Sequence, residues 1–340
     1  MSVHRLSVRS VSWRATLSAA SALVAGCAMV IALPGQASAA SITCTVNSVE
    51  VSGPVISGTS GDDRILCWEG VVLGTSIDAG AGDDTITVRG ESPSGTLGAN
   101  GQIGNDGTID GGPGNDIISV TGGRGDDGAV RDDGGNGGDG NNRTILGGGG
   151  IDTITVTGGN GGHGGLRVGD GGVGGHGNDG TITAQGTVTA TGGRGGNGTV
   201  PNNPDADGGA GGDGNNSDIH LLGHPGNRAV LTGGPGGHAT AAGEGGDGGH
   251  GNDGTTEVAG TVDIRGGNGG RAGHQGSEGG HGGDGNDDHL LVTGPALPAG
   301  TVRGGNGGPG RPGGDAGLGN DGTLTGDITT IDGAPGITLP

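Results

Sequence analysis

Aspartates set in glycine-rich turns are the residues of this sequence with evident chemistry. Gly58-Thr59-Ser60-Gly61-Asp62-Asp63-Arg64-Ile65-Leu66 places two carboxylates just after a glycine-rich stretch and just before an aliphatic pair. Related nonapeptides run from Ala79 to Thr87, Gly111 to Ser119, Gly122 to Val130 and Gly147 to Thr155. Glycine tolerates the positive φ angles that turn main-chain carbonyls inward. Carbonyls and carboxylates held close together suit calcium, which takes six to eight oxygen ligands at about 2.3–2.6 Å in a tolerant geometry. Asp and Asn beside Gly also make ordinary turns, their side chains bonding their own backbone. The residue types alone leave both readings open.

The elements that must position these turns are short strands in a long repeat. A unit of about 36 residues begins at Gly104-Asn105-Asp106 and recurs at Gly140, Gly177, Gly214, Gly251, Gly285 and Gly319, with spacings of 36, 37, 37, 37, 34 and 34. A period of this length signals stacked units, each too small to bury its own apolar face. Within a unit two alternating runs occur, clearest in Thr181–Thr191, where Ile182, Ala184, Val188 and Ala190 share one face and threonines the other. Period two with β-branched residues predicts strands; Thr153–Thr157 and Thr261–Ile264 repeat the pattern, and no capped helical periodicity follows residue 39. After the second strand comes a glycine-dense segment such as Gly158–Gly165. It reads either as a flexible loop or as extended, polyproline-II-like packing in which missing side chains let backbones approach. The expected fold is all-β, a parallel β-roll or β-solenoid with long glycine-rich loops.

The nonapeptides resemble those of RTX, or haemolysin-type, calcium-binding proteins, G-G-x-G-x-D-x-U-x with U a large aliphatic. The resemblance implies a parallel β-roll with calcium between adjacent turns, on main-chain carbonyls and the sixth-position carboxylate: here Asp63, Asp84, Asp116, Asp127 and Asp152. In that family the nonapeptides run in tandem. Here they start at 58, 79, 111, 122 and 147, so their spacing does not put one turn against the next. Beyond about residue 155 the motif gives way to Gly-Asn-Asp and Gly-Asp-Gly-Asn units, and the Gly-Gly-x tracts are similar in composition to mycobacterial PGRS surface proteins.

Residues 1–39 read as a signal peptide: Arg5, Arg9 and Arg14, an apolar run from Ala15 to Leu33, then Ala37-Ser38-Ala39 as cleavage site. Val24-Ala25-Gly26-Cys27 offers lipid anchoring as an alternative, although apolar rather than polar residues follow it. Residues 40–75 read as a terminal cap, 76–155 as the RTX-like repeats and 156–340 as glycine-rich solenoid repeats. Cys44 and Cys67, an even pair in an exported chain, predict one disulfide, worth roughly 3 kcal/mol on chain-entropy grounds.

All 36 acidic residues lie at or beyond Glu50 and no lysine is present, giving a net charge of −21. Such a surface repels nucleic acid and anionic membranes and concentrates cations. His163, His176, His238, His250, His274 and His281 sit in glycine tracts and read as solvated side chains; His176 and His250 lie two units apart, too far to share an ion. Threonine rows of an ice-binding kind are broken at Arg228–Leu231 and Thr301–Arg303. With no Lys or Tyr base, no Phe, and Trp68 the sole Trp after the leader, a polysaccharide-acting enzyme ranks last. The functional expectation is a secreted, non-enzymatic calcium-binding repeat protein with a structural or surface role, facing cell-surface or matrix components. A metal-independent matrix or adhesive protein is the alternative.

Overall fold

The computed structural model describes residues 40–339 apart from 96, 168, 199–205, 241, 274–276 and 294–299. Residues 1–39, read above as a signal peptide, with Cys27 among them, and His274 lie outside the described residues. Among those described the chain is all-β, with 19 strands and no helix. The strands stack in parallel, coil upon coil, as a β-solenoid.

Each coil contributes one strand to each of two sheets. One sheet takes Arg64–Cys67, Thr85–Arg89, Ile117–Thr121, Asp152–Thr157, Gly186–Thr191 and Asn227–Thr232 in order. The other takes Val55–Thr59, Ser76–Gly80, Thr108–Asp110, Thr144–Leu146, Thr181–Ala184 and Ile219–Leu221. The strand Thr255–Arg265 serves both, its first half in the second sheet and its last six residues in the first. Period-two alternation turns one residue in two inward, and register stacks like on like. Ile56, Ile77, Ile109, Ile145, Ile182 and Ile219 form one fully buried column, opposed by Ile65, Ile86, Ile118 and Ile154. Each such side chain contributes about 1.5–3 kcal/mol of burial, which a single coil could not obtain alone.

The first coil is covered by an antiparallel hairpin, Ile42–Val46 with Val49–Gly53, whose first strand pairs antiparallel with Arg64–Cys67. This occupies an edge that would otherwise template pairing with another chain. Cys44 and Cys67 face each other across that pairing and are joined by the expected disulfide.

Of the two arrangements open for the glycine segments, the structure has the packed one. From residue 90 onward the coils send out an extended arm and, up to residue 319, bring back a second, as in 158–165 and 170–177; in the first coil only residues 68–75 join Cys67 to Ser76. The arms form two layers. In a Gly-Gly-x triplet the first glycine donates within its layer, as Gly161 N–H does to Arg194 O at 2.8 Å. The second donates across layers, in the chain Gly159 to Gly138 (2.7 Å) and Gly138 to Gly123 (2.8 Å). The x residue donates to the side chain one coil earlier, as His163 N–H does to Asp127 Oδ1 at 2.9 Å. Three residues per turn with all bonds made to neighbours is the polyproline-II pattern. Glycine recurs at two positions in three because the backbones approach too closely for a side chain: a Cβ on Gly158 would lie 1.9 Å from Gly175 O, and one on Gly159 1.8 Å from Gly123 O.

Candidate functional site

Four of the five aspartates named from the nonapeptides are brought together in one row. Although their nonapeptides are not in tandem, the chain between them closes one coil each time. Asp63, Asp84, Asp116 and Asp152 therefore stack along one edge, all buried, with 1–4% exposure. Asp63 N–H donates to Asp84 Oδ1 (2.7 Å), Asp84 N–H to Asp116 Oδ1 (2.8 Å) and Asp116 N–H to Asp152 Oδ1 (3.1 Å). Asp152 N–H ends the series on Gln185 O at 2.6 Å.

The second carboxylate oxygens separate the rungs. Asp63 Oδ2 accepts from Thr59 N–H at 2.5 Å and the Thr59 hydroxyl at 2.9 Å, while Asn47 Nδ2 donates to Oδ1. Burial pushes the Asp63 carboxyl upward, but these donors outweigh it and hold it below its ordinary value. In the next rungs Thr59 is replaced by Gly80, Gly112 and Gly148, at φ +94°, +87° and +92°, which carry no hydroxyl. There Oδ2 of Asp84, Asp116 and Asp152 is buried without a hydrogen-bond donor among the described residues. Burial is the main cause that raises all three, with Asp116 pushed to about 6. An ionised carboxylate oxygen left unpaired in the interior is costly, so this edge favours a cation or a proton.

Asp127 is elsewhere. The nonapeptide Gly122–Val130 is part of an outgoing arm, and Asp127 is an exposed x residue paired with Arg124 at 2.5 Å and accepting the His163 N–H. Its sequence matches the turn motif, but its Gly-Gly is the buried pair of an arm triplet. The sixth-position ligand role does not extend to it by position.

Beyond Asp152 the row ends for a geometric reason. Between Ala184 and Gly186 only Gln185 stands where residues 148–151 formed the earlier turn, so the aspartate position becomes Gly186. Gly186 N–H donates to Asn227 Oδ1 at 2.7 Å, a neutral continuation.

The repeat marker Gly-Asn-Asp/Asn has a different use. Asn105, Asn141, Asn178, Asn215, Asn252, Asn286 and Asn320 stack on the edge between returning arm and first strand, each Nδ2 donating to the next Oδ1 at 2.7–2.8 Å. All but Asn320 are fully buried. Sequence reasoning read these as turn residues and missed the ladder. Their identity at every repeat was the available signal.

Acids and histidines of the arms form columns on the arm faces, one residue per coil. Asp133, Asp170 and Asp207 each accept the N–H of the next rung, Asp170, Asp207 and Glu244, at 2.7–2.9 Å. The histidines belong to the same scheme rather than to solvated loops: Nδ1 of His163, His176, His238, His250 and His281 accepts the N–H of Asn197, Asp213, Arg271, Asp284 and Asp315 at 2.9–3.1 Å.

No family model and no curated protein matches this chain. One solved structure that it matches is described as a nine polyproline type II helical bundle springtail antifreeze protein from Granisotoma rainieri, with 20% identity over 74% of this chain and 95% of that one and a TM-score of 0.15. A likeness this slight carries neither fold nor function to this chain. No helix among the described residues is long and apolar enough to cross a membrane.

Proposed function

We propose that this chain is a secreted calcium-binding repeat protein in which the ion has a structural role. The observation that supports the reading is the stack of three buried, donor-less carboxylate oxygens, Oδ2 of Asp84, Asp116 and Asp152, in a chain of net charge −21. Calcium is a hard cation that takes oxygen ligands and would supply the positive charge this edge lacks. Asp84, Asp116 and Asp152 would hold it; Asp63, already satisfied by Thr59 and Asn47, would frame the end of the row. A ligand that binds the folded state alone stabilises it by mass action, about 2.7 kcal/mol at a hundredfold excess over Kd. Folding would then be firmer where calcium is abundant, outside the cell, than where it is scarce.

The test is thermal unfolding of the chain in chelator and in a calcium titration, with magnesium as control. The reading expects a saturable rise in Tm with calcium alone, absent from the D84N/D116N/D152N variant. A Tm indifferent to calcium would overturn it. One observation favours a second reading, a metal-independent matrix or surface scaffold: the asparagine ladder and the arms past residue 155 satisfy their buried backbone and amide groups without any ion.

A further inference from the structure

A second and chemically different site lies on the returning arms, where His250 meets the next coil. In the arm column nearest the strands the rungs alternate Asp139, His176, Asp213, His250 and Asp284, each accepting the N–H of the rung after it. Beside it runs the third residue of each repeat marker: Asp106, Asn142, Asp179, Asn216, Asp253, Asp287 and Asp321. At first this second column neutralises itself. Asn142 Nδ2 donates to Asp106 Oδ1 at 3.1 Å, and Asn216 Nδ2 to Asp179 Oδ1 at 2.8 Å. After Asn216 the amides stop and three aspartates follow in succession. Among the described residues neither an amide nor an arginine is hydrogen-bonded to the carboxylate of Asp253 or Asp287, and the basic group facing Asp287 is the His250 ring.

His250 Nδ1 lies 3.6 Å from Asp284 Oδ2 and 3.9 Å from Asp287 Oδ2, and the three ligand atoms are all within 4.8 Å of one another. We propose that His250, Asp284 and Asp287 form a binding site for a borderline divalent transition metal, with zinc as the best match. Zinc bonds to imidazole and carboxylate at about 2.0–2.2 Å, which places tetrahedral ligands about 3.3–3.5 Å apart. The His250–Asp284 separation is almost there, and Asp287 needs a small rotamer shift. Imidazole nitrogen selects against calcium and magnesium, which prefer oxygen. The N–H of Asp284 reaches the same His250 Nδ1 at 3.1 Å, so an ion on Nδ1 would take the place of that one ladder bond.

His176 supplies a built-in control. It faces Asp213 Oδ2 at 3.0 Å, but Asn216 stands where Asp287 stands for His250, so one carboxylate is missing. Two coils separate the histidines, and each depends on the coil that follows it rather than on the other.

The experiment is a zinc titration of the full chain by calorimetry, in saturating calcium so that the aspartate row cannot contribute. His250→Asn keeps a side-chain acceptor for the ladder, as Asn197 does when it accepts the His238 N–H at 2.9 Å. Asp287→Asn reproduces the arrangement at Asn216. Zinc affinity is expected to fall at least about tenfold in both variants and to stay unchanged in His176→Asn, with circular dichroism showing every variant folded. Cobalt(II) bound to the parent should give tetrahedral d–d absorption that H250N abolishes. Equal zinc binding by parent and H250N, or no zinc binding by the parent, would overturn the proposal. Neither result bears on calcium at Asp84–Asp152, which is read separately by Tm.

Discussion

The backbone N–H of Asp84 donates to Oδ1 of Asp116 at 2.8 Å, while Oδ2 of the same carboxylate, buried against Gly111, meets no donor among the described residues. Half of this side chain is structural and half is unsatisfied. Asp116→Asn separates the two, because the amide retains Oδ1 as acceptor and removes the charge. Asn227 already occupies this row in that form, accepting the Gly186 N–H. In chelator at pH 8 the variant should be more stable than the parent, by roughly 1 kcal/mol, and its response to calcium should be diminished. Chemical denaturation with and without calcium measures both.

The pH dependence of the same residue has a definite sign. The folded Asp116 carboxyl sits at about 6 against 3.8 for the ordinary group, so the folded state binds the proton more tightly. Its contribution is fully present below about pH 3.8 and is lost as pH rises through about 6. Without calcium, the melting temperature of the parent relative to D116N should therefore fall between about pH 4 and pH 7. A difference that is flat with pH would show that Asp116 is not held protonated by its surroundings.

Asn178 carries three ladder bonds: it accepts from Asn141 and donates to Asn215 at 2.7 Å each, and it donates to Gly180 O at 2.6 Å. Asn178→Ala strands one N–H of the Asn141 amide, whose other donates to Arg143 O, and takes a donor from the oxygens of Asn215 and Gly180. A loss of about 2–3 kcal/mol is expected in denaturant unfolding. The same change at half-buried Asn320, the last rung, should cost less.

Two glycines give a paired test of the arms. Gly159→Ala would drive a Cβ to 1.8 Å from Gly123 O and should cost well over 1 kcal/mol, with loss of neighbouring amide protection in hydrogen exchange. Gly149→Ala meets nothing within 4 Å and should fall within about 0.5 kcal/mol of the parent. If both were equally tolerated, the arms would not be packed in solution.

His238 predicts acid sensitivity. Burial, then Arg194 and Arg271, hold its imidazole below its ordinary value, in keeping with Nδ1 accepting the Arg271 N–H at 2.9 Å. A depressed pKa contributes stability above the unfolded value of about 6.5 that is lost as pH falls. His238→Asn, which keeps an acceptor, should remove part of the Tm loss seen between about pH 7 and pH 5. His176 should act in the opposite sense, since Asp213 outweighs its burial and raises it.

Much of the body was legible in the sequence. Alternation in Thr181–Thr191 gives strands, because a strand with one buried face must alternate. The 36-residue period gives stacking, because one coil cannot bury Ile182 by itself. The Cys44–Cys67 pair follows from an even count of cysteines after residue 39 in a chain read as exported. The Asp row was half legible. Its members could be named, and Gly111 and Gly147 each fall seven residues after a repeat marker whereas Gly122 does not. That phase separates Asp116 and Asp152 from Asp127.

What the sequence by itself determined is the local pattern: which residues alternate, which can turn and where the period falls. Only the tertiary structure decided which turn faces which, because coils of 21, 32 and 36 residues all close to the same inter-strand step. It alone decided that the glycine arms pack rather than wave. Glycine content is compatible with both, and the difference lies in backbone bonds between arms far apart in the chain, such as Gly159 to Gly138. It alone brought His250 to Asp284 and Asp287, since a side chain on one coil chooses its neighbours on the next by register, not by distance along the sequence.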